Sequence, residues 1–315
     1  MRLIAALIVI LGALVPAASE LPAFQAPGLV RSRLEWVDRT GTPISSLGML
    51  ADYGTLELSP DGKQVAVAIL DSGRAAGDVW LYDAESGSRT RLTATPEDEN
   101  WQIWSPDGRQ IMFNRFSRES LGLYQKVLAG DGVEDLVLDD DVAKWPVSWS
   151  PDGRYVLYVT SSTRTGNDIW ALPLFGDKKP FVILQTAAQE NWPSFSPDGQ
   201  WIAFSSTESG RAEVYLTSFP GQARKLRVSS SGGFQARWRR DGKELFYLAA
   251  NGTLTAAPLK RQGSGIEAGA AESLFHVEFP YANFRAYDVA PDGKRFLVNT
   301  LVSRFNGIPR IAHLR

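Results

Sequence analysis

The chain has 315 residues, of which 44% are apolar and 22% are charged, as in a soluble globular protein with one large domain. A formal net charge of −2 excludes the strong basic field that attracts nucleic acid or an anionic membrane surface. The absence of cysteine excludes disulfides and thiolate metal sites.

The first 33 residues lack the composition of a folded domain. Arg2 precedes an apolar run over residues 3–15, which is too short to cross a bilayer comfortably, and the small residues at 17–19 suit a cleavage site. We predict a signal peptide over residues 1–19, a linker over residues 20–33 and one domain over residues 34–315. An uncleaved membrane anchor is the alternative for the first segment.

A repeated tetrapeptide organises the rest of the chain. Ser-Pro-Asp-Gly begins at Ser59, Ser105, Ser150 and Ser196, and two worn copies follow. The aspartates of the six copies are Asp61, Asp107, Asp152, Asp198, Asp241 and Asp292. Their spacing of 43–51 residues indicates a repeat architecture.

Each copy lies between two predicted strands. Apolar residues occur three positions before the Asp and four to six positions after it, and the Asp-Gly pair suits the turn of a hairpin. Because three successive residues of the second strand are apolar, we predict that this strand is buried on both faces. A third strand follows in the first four copies, and a fourth is visible at residues 90–92 and 225–227. Four antiparallel strands per repeat predict one blade of a β-propeller.

The two ends of the domain complement each other. Residues 34–47 contain the third and fourth strands of a blade, whereas the copy at Asp292 contains a first and a second strand. Joining them closes the ring without a free sheet edge, which predicts an all-β, six-bladed propeller closed by both termini. A further short strand at residues 311–314 competes for the same place, so a seven-bladed ring is the alternative.

The repeat resembles a known family. The S-P-D-G-[KRQ] hairpin, the apolar doublet after it and the D-[IV]-W strand are similar to those of the TolB-like, WD-repeat-like propellers, over about residues 34–300. The same run resembles the propellers that follow some bacterial serine/threonine kinase domains. The resemblance implies the propeller fold, but it is weak for function because the motif residues build turns.

Signatures of catalysis and cofactor binding are missing from the sequence. There is no G-x-S-x-G, P-loop or dinucleotide glycine motif. His276 and His313 have no Ser or Asp pattern beside them, and the acidic run at residues 139–141 lacks the spacing of a calcium loop. We therefore predict no catalytic residue, no metal ligand and no cofactor.

One set of residues suggests a binding surface. The connections into the first strands of the blades pair an aromatic residue with a polar one, which is typical of binding hot spots. Because the inner strands of a propeller all begin at one face, these residues converge at the mouth of the central channel. The predicted partner-binding residues are Tyr53, Asn100, Trp101, Lys144, Trp145, Asn191, Trp192, Phe234, Gln235 and Arg285. Packing of the rings between blades is the alternative.

These observations favour a non-enzymatic, monomeric module in the periplasm or outside the bacterial cell. It would bind a protein or peptide, or sense a ligand, at the channel mouth. The competing hypothesis is a small-molecule enzyme of the lactonase or lyase type, with a metal in the channel. Converging Asp, Glu or His side chains in the channel would favour the enzyme.

Overall fold

The computed structural model describes residues 30–71, 76–117, 119–129, 132–221, 224–263 and 265–304, and within them every regular element is a strand. The predicted signal peptide and the possible strand at residues 311–314 lie outside these ranges. The first strand begins at Val30, so the last residues of the predicted linker belong to the sheet.

Two strands precede the first complete blade: β1 (Val30–Asp38) and β2 (Pro43–Ala51). Blade 1 contains β3 (Tyr53–Leu58), β4 (Gln64–Asp71), β5 (Ala76–Asp83) and β6 (Arg89–Arg91). Blade 2 contains β7 (Asp98–Trp104), β8 (Gln110–Phe116), β9 (Leu121–Val127) and β10 (Glu134–Leu138). Blade 3 contains β11 (Lys144–Trp149), β12 (Tyr155–Ser162), β13 (Gly166–Pro173) and β14 (Phe181–Leu184). Blade 4 contains β15 (Glu190–Phe195), β16 (Trp201–Ser206), β17 (Glu213–Ser218) and β18 (Lys225–Arg227).

Blade 5 departs from the regular pattern. Its strands are β19 (Phe234–Trp238), β20 (Glu244–Leu248), β21 (Thr253–Gln262), β22 (Gly265–Ala268) and β23 (Glu272–His276). The first half of β21 pairs with β23 as the outer strand, whereas its second half forms an extra hairpin with β22. This hairpin packs on blade 4, where the guanidinium of Arg261 lies 5.9 Å from the ring centre of Trp201.

Blade 6 is built from both ends of the domain. The last strands are β24 (Tyr287–Val289) and β25 (Arg295–Arg304), and the sheet order is β2-β1-β25-β24. The antiparallel pairing of β1 with β25 extends from Val30 to Asp38, so the ring is closed by hydrogen bonds between the two ends. The predicted six-bladed propeller with a composite blade is confirmed, and the seven-bladed alternative is wrong.

The second strands occupy the core, as their apolar triplets predict. Ala66, Met112, Leu157, Ala203 and Phe246 are all fully buried, because each second strand is flanked by strands of its own blade and by side chains of its neighbours. The largest cluster of buried apolar side chains runs through blades 2 to 6, and four smaller clusters each join two adjacent blades.

The Ser-Pro-Asp-Gly hairpins form the face opposite the channel mouth, here called the hairpin face. In blade 2, Ser105 Oγ donates to Asp107 Oδ1 at 2.6 Å and accepts a hydrogen bond from the backbone N–H of Gln110 at 2.9 Å. Gly108 has a φ of 70°, and a Cβ added to it would lie 3.8 Å from Cδ of Pro60 in the preceding hairpin. Similar Gly–Pro neighbours recur around the ring, so the hairpins support one another.

Candidate functional site: the channel mouth

The structure places all ten predicted binding residues at the mouth end of the inner strands, and all ten side chains are buried. The most exposed of them, Trp145, retains 9% of its accessible surface, whereas Tyr53 retains none. They therefore form the floor of the mouth and do not stand on an exposed rim.

A bulge near the start of the inner strand recurs in every complete blade. The pairing of the first with the second strand shifts register here in blades 1 to 5. Trp101, Trp192 and Gln235 occupy the same repeat position, six residues before the hairpin Asp, and have φ values of 52°, 55° and 54°. Left-handed backbone is rare for such bulky residues, and each instance costs on the order of 1–3 kcal/mol, which the surrounding packing must offset.

The bulges bring two indole rings together across the channel. Trp101 of blade 2 and Trp192 of blade 4 stack with their ring centres 5.3 Å apart, although blade 3 separates their blades. The ring of Phe284, from the connection between blades 5 and 6, lies 6.1 Å from that of Trp101. Three aromatic side chains from different parts of the propeller thus close the channel at its mouth.

The polar neighbours of these rings are engaged within the protein. Asn100 Oδ1 accepts a hydrogen bond from Thr55 Oγ1 of blade 1 at 3.1 Å, and Asn191 Oδ1 accepts one from Asn167 Nδ2 of blade 3 at 2.9 Å. Lys144 Nζ donates to the carbonyl of Val142 at 2.6 Å and pairs with Asp140. The two asparagines therefore join adjacent blades.

The remaining predicted aromatic residues pack against local partners. Tyr53 donates its hydroxyl to the carbonyl of Met49 at 2.6 Å. Trp145 meets Phe116 edge to face at 5.9 Å, and Phe234 meets Phe279 at 6.0 Å.

Below the aromatic rings, four charged side chains fill the channel. Glu57 Oε1 lies 3.2 Å from Arg237 Nη2 and 3.2 Å from Arg285 Nη1, and Arg237 Nε lies 3.2 Å from Asp288 Oδ1. Arg285 also donates to the carbonyl of Val147 at 3.0 Å. Burial, together with the neighbouring Arg237, lowers the pKa of Arg285 to about 10, which leaves it charged at neutral pH.

Sequence reasoning missed three members of this cluster, although a signal was present. Glu57, Arg237 and Asp288 all lie four residues before a hairpin Asp, on the strand face opposite the buried apolar position. Charge at that shared repeat position indicates side chains that point into the channel. Arg285 was among the predicted residues, but nothing in the repeat predicts its charged partners, because it lies in the irregular connection before β24.

A small cavity lies within the channel, and a groove opens on the mouth face. The cavity beside Trp192, Gln235 and Arg285 has a volume of about 10 Å³, which is close to the room that one water needs. A groove of about 680 Å³ opens between blades 6 and 1. Its walls include Arg31, Ala51, Asp52, Trp80, Arg91 and Pro96.

The two carboxylates of the channel are paired with arginines, and no three Asp, Glu or His side chains in the described ranges gather closely enough to hold a metal ion. In the same part of the chain, no helix is long and apolar enough to span a membrane.

The fold and the mouth define a six-bladed β-propeller whose channel is closed at the mouth. Comparison of its sequence with known proteins finds similar ones, among them two uncharacterized proteins. No family model matches the chain. The chain is 28% identical over 175 residues to an uncharacterized peptidase, YuxL of Bacillus subtilis, which covers 50% of this chain and 23% of the peptidase. It is 27% identical over 211 residues to the uncharacterized protein Atu1656 of Agrobacterium fabrum, which covers 62% of this chain and 69% of that protein.

Solved structures show the same fold. A structure from Agrobacterium tumefaciens described as TolB superposes with a TM-score of 0.68 and 19% identity, over 87% of this chain and 99% of that chain. TolB from Acinetobacter baumannii superposes with a TM-score of 0.61 and 16% identity, over 76% of this chain and 64% of that chain. An oligogalacturonate lyase in complex with manganese superposes with a TM-score of 0.54 and 12% identity, over 79% of this chain and 89% of that chain. The TolB likeness expected from the sequence is thus found, but at these identities it shows the fold alone.

Proposed function

We propose that this protein is a non-enzymatic, extracytoplasmic binding module that takes a protein or peptide at its mouth face. The observation that carries the proposal is the contrast between the two possible sites. The channel is closed by rings and filled by charged groups, whereas the mouth face bears a groove of about 680 Å³. That volume is in the range of ligand sites, and its lining mixes apolar and charged side chains.

The channel chemistry supports binding over catalysis. A lactonase or lyase with a metal in the channel needs several free oxygen or nitrogen ligands that converge on one point. Here Glu57 and Asp288 accept hydrogen bonds or ion pairs from Arg237 and Arg285, and backbone N–H groups of Trp104 and Leu58 occupy further lone pairs.

The location rests on residues 1–19, whose pattern is that of a signal peptide. We expect the protein in the envelope fraction to have its N-terminus between about Ala18 and Glu20, as measured by mass spectrometry. We also propose ligand sensing as a second role for the same face, because the sequence resembles propellers that follow some bacterial serine/threonine kinase domains.

Cross-linking capture from the envelope of the native bacterium tests the proposal. The bait is the mature chain, and the informative variant is Ala94→Arg, which places a long cation in the groove at an exposed position. We expect capture to fall roughly tenfold, a loss of about 1.4 kcal/mol, with an unchanged melting temperature.

The matched control is Ala270→Arg, the same substitution at an exposed position between β22 and β23, near the hairpin face. This control should retain full capture. Equal capture by both variants, or an activity that depends on Glu57 and Asp288, would overturn the proposal.

A further inference from the structure

A long connection crosses the channel mouth. Residues 277–286, here called the mouth strap, join β23 to β24 and form no strand. The other connections into inner strands are shorter: residues 92–97, 139–143, 185–189, 228–233 and the single residue Asp52. The extra length is what allows this connection to reach across the ring.

The side chains of the mouth strap contact blade 5, from which it departs, and also blades 1 and 2 across the ring. Tyr281 donates its hydroxyl to Asp52 Oδ1, beside blade 1, at 2.8 Å. Phe284 packs against Trp101 of blade 2, and Phe279 packs against Phe234 of blade 5. The strap therefore covers the aromatic floor of the mouth.

The strap is fixed firmly at its two ends. The backbone N–H of Val277 donates to Gly252 O at 3.0 Å, and the carbonyl of Glu278 accepts from Leu301 N at 2.7 Å. At the other end, Arg285 is held in the charged cluster, and the carbonyl of Ala286 accepts from Asn299 N at 2.8 Å. Residues 279–284 lie between these anchors without belonging to a sheet ladder, so their displacement breaks no strand pairing.

The floor holds the strap through its backbone and through one aromatic side chain. Gln235 Nε2 donates to the carbonyl of Phe284 at 2.8 Å, while Gln235 Oε1 accepts the N–H of Ala286 at 2.8 Å. The carboxamide of Gln235 thus forms hydrogen bonds with the backbone of two residues, Phe284 and Ala286, on the same segment. Beside it, Trp101 supplies the surface on which the Phe284 ring rests. Left-handed backbone at both positions is the kind of strain that accompanies ligand clamps and switches.

We propose that Trp101, Trp192 and Gln235 form a docking site for an aromatic side chain on an extended peptide segment of the partner. Phe284 is the internal occupant of that site in the partner-free protein. The partner displaces residues 279–284, sets its own aromatic ring on Trp101 and offers a carbonyl to Gln235 Nε2. This inference rests on the proposed binding function and adds to the groove a second contact site, which opens when the strap moves. Tyr281 of the strap is hydrogen-bonded to Asp52 in the wall of the groove, so the two sites are neighbours.

A peptide assay tests the inference on the full mature chain. The probe is an acetylated, amidated peptide with the sequence of residues 279–284, Phe-Pro-Tyr-Ala-Asn-Phe, and binding is followed by tryptophan fluorescence. Phe284→Ala removes the internal competitor, so we expect this variant to bind the peptide about tenfold more tightly than the wild type. A control peptide with Ala as its last residue should bind about tenfold more weakly, and adding Gln235→Ala should weaken binding of the first peptide similarly.

A second phenylalanine variant controls for nonspecific gain of affinity. Phe175→Ala removes a ring that is 41% exposed and outside the mouth, and it should bind the peptide no better than the wild type. Equal binding of the peptide to wild type and Phe284→Ala, or equal binding of both peptides to Phe284→Ala, would overturn the inference.

Hydrogen exchange on the wild type covers the case in which Phe284→Ala does not fold. Amides in residues 279–284 should exchange at least about tenfold faster than those of β12, through local opening of the strap. Exchange of the two regions at one common rate would contradict a displaceable strap. Because neither assay contains an envelope partner, failure of these assays overturns this inference and leaves the proposed function standing. Empty cross-linking capture, in contrast, overturns the proposed function itself.

Discussion

Replacing Glu57 by Gln should destabilise the whole ring, because Glu57 is the carboxylate shared by both channel arginines. Its Oε1 lies 3.2 Å from Arg237 Nη2 and from Arg285 Nη1, and its Oε2 accepts the N–H of Trp104 at 3.0 Å. Its side chain is only 14% exposed, and those of the two arginines are 12% and 3% exposed. Removing one partner from a buried ionic group costs about 3–5 kcal/mol, since the remaining charges stay desolvated. Gln keeps the volume and the acceptor for Trp104, so we expect a loss near the lower end of that range.

Urea unfolding of the mature chain measures this loss directly. The midpoint should fall while the dependence of unfolding free energy on denaturant stays constant, because the surface exposed on unfolding does not change. Glu208→Gln is the control, since its pair with Lys225 is 35–38% exposed and contributes at most about 1 kcal/mol. A loss below about 1 kcal/mol for Glu57→Gln would refute the claim that the cluster holds the blades together.

Three further predictions concern the repeat. Gly153→Val should lower the free energy of unfolding by about 1–3 kcal/mol, because φ is 74° there. The strain comes from the backbone, since the nearest atom to the added Cβ belongs to Pro106, 3.8 Å away. Gly221→Ala, with open space and no positive φ, should be nearly neutral in thermal melts. The Ser105 hydroxyl, then the N–H of Arg109, lower the pKa of Asp107, so this turn adds stability above about pH 4 that is lost as the pH falls through the folded-state pKa. The destabilisation by Ser105→Ala should accordingly shrink between pH 7 and pH 3, and a constant difference in melting temperature would argue against it. Removal of residues 284–315, or of residues 34–48, should expose strand edges and cause aggregation in size-exclusion chromatography, and an unchanged monomer would contradict closure by both ends.

The fold could be predicted because each local signal recurs in register. Ser-Pro-Asp-Gly fixes a turn chemistry, the apolar triplet after it fixes a strand buried on both faces, and the common spacing fixes the blade. The composite blade was predictable because residues 34–47 contain two strands without a hairpin motif, and the repeat copy at Asp292 contains only the first two strands of a blade. The extra β21–β22 hairpin was not predicted, because the fifth copy has lost its Ser-Pro and the insertion has no repeat partner.

The candidate site was only partly predictable. The repeat locates Trp101 and Trp192 at the start of their strands, but it does not reveal the left-handed bulges that bring their rings together. Burial of Gln235 depends on the mouth strap, which comes from about 45 residues further along the chain and obeys no repeat. Contacts of this kind follow from the three-dimensional path of a connection, and residue spacing does not encode them.

Site-directed photo-cross-linking tests the central claim most directly. A benzophenone amino acid placed in turn at positions 94 and 282 probes the mouth face, and the same residue at positions 109 and 243 probes the hairpin face; all four positions are exposed. In cells of the native bacterium, we predict a discrete cross-linked protein partner from positions 94 and 282 and none from positions 109 and 243. A partner captured only from the hairpin face would contradict the assignment of the mouth as the binding face.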